Sequence, residues 1–117
     1  MFVIRNEQMK VLSDDMTRAF ERRMFEHLKK NHGSELNGIS DEELQGMIHK
    51  GLSRAGKYGI VAEADVQAYL EYMVELGVDF DADPKHAEVK DILNSSRYSG
   101  AVKMNRIKFL LNHVRGA

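Results

Sequence analysis

The sequence predicts an all-α fold, a single domain spanning 1–117 and built as an irregular bundle of about five helices. Three observations carry that expectation. Apolar residues recur at steps of three and four through most of the chain. No stretch of useful length alternates with the period of a strand. Short clusters of Gly, Asn, Ser and one Pro punctuate the periodic segments. At 117 residues the chain can bury one modest core without metal or disulfide staples.

The first periodic segment runs from about Asn6 to Asn31. Asn6 is placed to N-cap it and Glu7 suits the positive end of the helix dipole. Met9, Leu12, Met16, Phe20, Met24 and Leu28 form one amphipathic stripe. Asp14, Arg18, Arg22 and Lys29 form the charged face, and Gly33 can stop the helix. Val11 and Phe25 fall off the stripe. Such strays are usually tolerated surface residues or loop contacts; the alternative is a contact surface.

Gly33 to Ile39 reads as a loop. Ser40-Asp41-Glu42-Glu43 is a capping box, with Ile39 placed to staple onto Leu44. The second helix runs to about Gly56 on a stripe of Leu44, Met47, Ile48, Gly51, Leu52 and Ala55. Gly46 and Gly51 each cost up to about 1 kcal/mol relative to Ala, and close helix approach is the expected compensation at Gly51. Gly56-Lys57-Tyr58-Gly59 turns the chain. A third helix from about Ala62 to Leu76 is apolar over a wide arc and belongs in the middle of the bundle.

Glu75 to Pro84 holds the chain's only proline and its densest carboxylate run. Gly77 stops the third helix, Phe80 plugs the corner, and Asp83 caps a short fourth helix whose first turn begins at Pro84. That helix ends near Leu93, with Val89, Ile92 and Leu93 inward. The last helix runs from about Ser99 to His113 on Met104, Ile107, Leu110, Leu111 and Val114. Val102 and Phe109 lie seven apart on another side, with Arg106 near them. Two-sided packing is the expectation; a small apolar–basic patch is the alternative.

Net charge is −1, so bulk charge gives no reason to expect a polyanion partner. Its distribution is uneven. Residues 63–91 carry nine acids against two bases, whereas 97–117 carry five bases and no acid. The two regions are expected to attract each other within the fold; otherwise each face meets a different partner. With no cysteine, disulfide, thiolate and zinc-thiolate chemistry are excluded. The apolar start, Met1 to Asn6, is too short for a signal peptide or membrane span, and a cytoplasmic location is expected.

No reaction is spelled out. Asp79, Asp81 and Asp83 open like a calcium loop, but its sixth and twelfth positions fall on Pro84 and Lys90 where Gly and a carboxylate are needed. The histidines at 27, 32, 49, 86 and 113 show no HxxxH or HExxH spacing. No nucleophile elbow or phosphate loop stands out. The methionines fall mostly on stripes and read as core filling. A helix-turn-helix built on the second and third helices would present Glu63, Asp65, Glu71 and Glu75 to phosphates, which weighs against nucleic-acid binding.

Ile4-Arg5-Asn6-Glu7-Gln8-Met9, Phe25-Glu26-His27-Leu28, Tyr58-Gly59-Ile60 and Leu76 through Pro84 together resemble a family of small helical proteins. Its members are encoded in bacterial type VI secretion gene clusters, beside spike-tip proteins of the PAAR type and toxic effectors. The resemblance implies an accessory role in an effector module, as adaptor, chaperone-like partner or immunity protein. The resulting expectation is a non-catalytic protein with no cofactor, no metal and no membrane segment. Its expected partner is another protein, a secreted effector or spike component, with homo-oligomerisation also open. Val11, Phe25, Val102, Arg106 and Phe109 are the expected contact residues. The alternative is a helical nucleic-acid-binding regulator using the basic last helix.

Overall fold

The computed structural model describes the backbone of residues 14–116 and the side chains of 16–112. Val11, and the expected start of the first helix at Asn6, lie outside the described residues. Within them the chain forms α1 (Asp14–Asn31), α2 (Asp41–Lys57), α3 (Glu63–Leu76), α4 (Ala87–Leu93) and α5 (Gly100–Gly116). A single 3-10 turn, Pro84–His86, leads into α4. The fold is all-α, as the periodicity predicts.

Local chemistry starts and stops these helices. The capping box at α2 is complete: Ser40 Oγ accepts the Glu43 amide at 3.1 Å, and Glu43 accepts the Ser40 amide at 2.9 Å. These bonds hold the Glu43 carboxyl below its usual pKa. Asp83 caps the 3-10 turn by accepting the Lys85 amide at 2.9 Å, with Pro84 at the first position. Ser99 accepts the Val102 amide at the head of α5. Gly77 ends α3 with φ 115°, a conformation that excludes most side chains. At the end of α1 the mechanism differs from expectation. The helix stops at Asn31, and the positive-φ residue of the following loop is Gly38, not Gly33.

Packing places α3 centrally. It lies against α2 on one side and α5 on another; α1 covers α2, and α4 packs on α5. Val66, Tyr69, Leu70 and Met73 of α3 are fully buried with Leu28, Ile48, Ile60, Phe80, Val89, Leu93 and Ile107. Phe80 fills the corner after α3, with its ring centroid 5.1 Å from Tyr69 and 6.3 Å from Tyr72. A recognition-helix reading of α3 therefore fails on burial as well as on charge. Of the expected α1 stripe, Met9 and Leu12 lie outside the described residues; within them Phe20, Met24 and Leu28 are buried, while Met16 is 56% exposed.

Two glycines make close approaches possible. A Cβ at Gly51 would strike Leu70 Cδ2 and come within 2.7 Å of Met73 Sδ, so these two α3 side chains pack directly onto the α2 main chain at Gly51. Gly100 is tighter still. A Cβ there would run into the Gly59 carbonyl and lie 2.7 Å from Ile60 Cα, so α5 starts directly on the main chain of the α2–α3 turn. By contrast, nothing lies within 4 Å of a Cβ at Gly46.

These environments order three substitutions. Gly46→Ala should stabilise the protein by roughly 0.5–1 kcal/mol, since a helical glycine is replaced in open space. Gly51→Ala should destabilise by about 1–3 kcal/mol through overpacking of side chains that can partly yield. Gly100→Ala should cost more than Gly51→Ala, because backbone cannot move aside. Urea unfolding with a constant m-value measures all three.

Candidate functional site

The expected contact residues separate into two places. Val102, Arg106 and Phe109 follow one another at steps of four and three on α5, which puts them on one face. Val102 is 39% and Phe109 74% exposed, so this side of α5 is turned to solvent. Among the described residues the buried apolar stripe of the helix is Met104, Ile107 and Leu111, and Val102 and Phe109, expected to pack on a second side, stand outside it. Arg106 lies over the Tyr98 ring, its guanidinium carbon 4.2 Å from the centroid, a cation–π contact. Phe25 is elsewhere. It is half-buried, packs against the core and has Lys29 Nζ 5.1 Å from its ring centroid. With Arg18, Glu21, Arg22, Gln45 and Ile48 it lines an open groove of about 260 Å³ between α1 and α2.

Charge is arranged differently from the attraction expected between the acidic and basic thirds. Glu63 pairs with Arg23 at 3.2 Å, Glu71 faces His27 at 2.7 Å, and Asp79 and Asp81 take Arg54 at 2.8 and 3.2 Å. The partners of the acidic region are thus on α1 and α2. Among the described residues no ion pair joins an acid to a base of α5. Lys103 is 7% exposed and donates instead to the carbonyls of Tyr58 at 2.9 Å and Leu93 at 2.7 Å. Burial lowers its pKa.

The acidic corner is a polar joint. Asp81 is 7% exposed and accepts from Arg54 Nη1 and from the Tyr58 hydroxyl at 2.7 Å. Arg54 Nη1 also donates to the Val78 carbonyl at 2.8 Å. The Arg54 hydrogen bond holds the Asp79 carboxyl below its usual range. Burial, with the Asp81 bond, raises the Tyr58 phenol to about 12. Tyr69, behind it, is fully buried, and its hydroxyl has no hydrogen-bond partner among the described residues. Such a group costs about 1–3 kcal/mol. Burial, then the field of Asp81, pushes its pKa up.

A second cluster joins α1 to α3. His27 Nε2 is 2.7 Å from Glu71 Oε2 and 3.4 Å from Gln67, while Nδ1 is 3.1 Å from Asn31. His32 approaches the same Glu71 oxygen through Nε2 at 3.5 Å, and Glu35 through Nδ1 at 3.4 Å. Both nitrogens of both rings are therefore engaged, which argues against a poised general base. Sequence spacing could not disclose this pair: the histidines are five apart and straddle the end of α1, and Glu71 enters from a different helix. Arg54, Tyr58 and Lys103 were likewise invisible as partners, since each bond spans ten or more residues.

Two outcomes test the polar joint. Asp81→Ala should cost about 1.5–3 kcal/mol, the range for a hydrogen bond to a charged group, as read by chemical denaturation. Alkaline pH should act through Tyr58. Its folded pKa, about 12, lies above the ordinary phenol value of 10.0, so its stabilising contribution is complete below pH 10 and is lost as pH rises toward 12. Tyr58→Phe should flatten that part of the pH–stability profile.

Among the described residues no helix is long and apolar enough to cross a membrane. No protein family, curated protein or solved structure matches the chain.

Proposed function

We propose that the protein is a non-catalytic binding module whose outward α5 face, Val102, Arg106 and Phe109, docks on another protein. One observation carries the reading: exposed apolar side chains share one side of α5 with an arginine that lies over an aromatic ring. Aromatic residues and arginine are the groups that dominate protein interfaces. The occupant we favour is a partner presenting an apolar surface with an acidic rim. Charge supports this choice, because Arg106 and Lys108 of this helix form no ion pair among the described residues, whereas Glu63, Glu71, Asp79 and Asp81 pair with groups on α1 and α2. The family resemblance sets the proposed context: a secreted effector or spike component of a type VI secretion module, served by this chain as adaptor, chaperone-like partner or immunity protein.

Co-expression with the products of the flanking genes, followed by titration calorimetry, tests the proposal. One neighbour should bind, and Arg106→Glu or Phe109→Asp should weaken binding at least tenfold without changing helical content. Clean failure with every neighbour sinks the effector-module reading. Concentration-dependent self-association abolished by Phe109→Asp would assign the face to a second copy instead. Salt-sensitive binding to DNA lost in Arg106→Glu would assign it to nucleic acid.

A further inference from the structure

We propose that His32, Glu35 and Glu75 bind a divalent transition-metal ion, with zinc the fitting species. His32 directly follows α1, Glu35 lies three residues on, and Glu75 stands one turn after Glu71 near the end of α3. One ligand atom from each of the three lies within 4.8 Å of the other two. Ligand atoms in a tetrahedral zinc site, with bonds of about 2.0–2.2 Å, stand about 3.4 Å apart. His32 Nδ1 is already 3.4 Å from Glu35. Closing the remaining distance takes rotation of the two glutamate side chains, both at exposed positions. An imidazole with two carboxylates favours zinc or cobalt over calcium and magnesium, which take oxygen ligands.

The support behind the ring is the second observation. The His32 side chain is only 12% exposed, and its other nitrogen faces Glu71 at 3.5 Å. Glu71 is itself fixed by His27 at 2.7 Å, and His27 by Asn31 at 3.1 Å. A carboxylate behind a ligating histidine sets the ring's orientation and raises its basicity. The chain Asn31–His27–Glu71–His32 does this from two different helices. Three protein ligands leave coordination positions for water.

Cobalt(II) is the spectroscopic probe and zinc the competitor. The full chain should take up one equivalent of cobalt with a visible d–d absorption band, and zinc should displace it. Glu35→Gln and Glu75→Gln, both at exposed positions, should each weaken uptake at least tenfold. Glu71→Gln should weaken it by about 10–100-fold, as expected for a group that orients a ligand. Absence of the band in the native protein overturns the proposal, and so does native affinity in any one of the three variants.

Discussion

The buried carboxylate of Asp81 is the constraint around which the rest is arranged. A carboxylate taken out of water costs several kcal/mol unless charge and hydrogen bonds replace the lost solvent. Here Arg54 and Tyr58 replace it, and both come from the end of α2 and its turn. The corner after α3 is thereby tied to the corner after α2. Lys103 extends the tie, because its ammonium bonds to the carbonyl of the same Tyr58 and to that of Leu93. Three chain reversals converge on one set of polar bonds, and Phe80 and Tyr69 seal the apolar side. Apolar burial supplies the driving force for collapse, and these bonds select which corners meet.

This arrangement also decides where charge is left over. Glu63, Glu71, Asp79 and Asp81 of the central third pair with groups on α1 and α2. Lys103, Arg106 and Lys108 of α5 form no ion pair among the described residues, and Lys103 is absorbed by main-chain carbonyls. A molecule with almost no net charge therefore carries a basic, partly apolar face. Net charge alone would have concealed it.

Much of the fold was legible because it is written locally. The Ser40 capping box, the Gly77 stop and the Asp83–Pro84 start each involve residues within a few positions of one another; the first two fall as expected, and Asp83 caps a 3-10 turn that leads into the fourth helix at Ala87. What escaped is non-local. Lys103 reads as a surface base until its two carbonyl partners are in place. Gly100 reads as a glycine in the first turn of the last helix until Gly59 is found against it. Arg54 lies between the apolar positions of α2, and nothing in that pattern says that Asp79 and Asp81 will come to it. For the candidate site, the spacing of Val102, Arg106 and Phe109 was readable, but whether they faced inward depended on which helices covered α5. The His27–Glu71–His32 cluster was unreadable, since it assembles across two helices.

The seating of Gly100 on Gly59 and Ile60 has a consequence for how such a chain can diversify. A helix located by side-chain interdigitation shifts whenever those side chains are exchanged. The origin of α5 is instead fixed by main chain against main chain, and main chain is common to every sequence. Its outward residues can then drift freely in size and charge while the axis beneath them keeps its place. The joint works as a datum: recognition can be rewritten on one side of the helix without re-registering the bundle on the other.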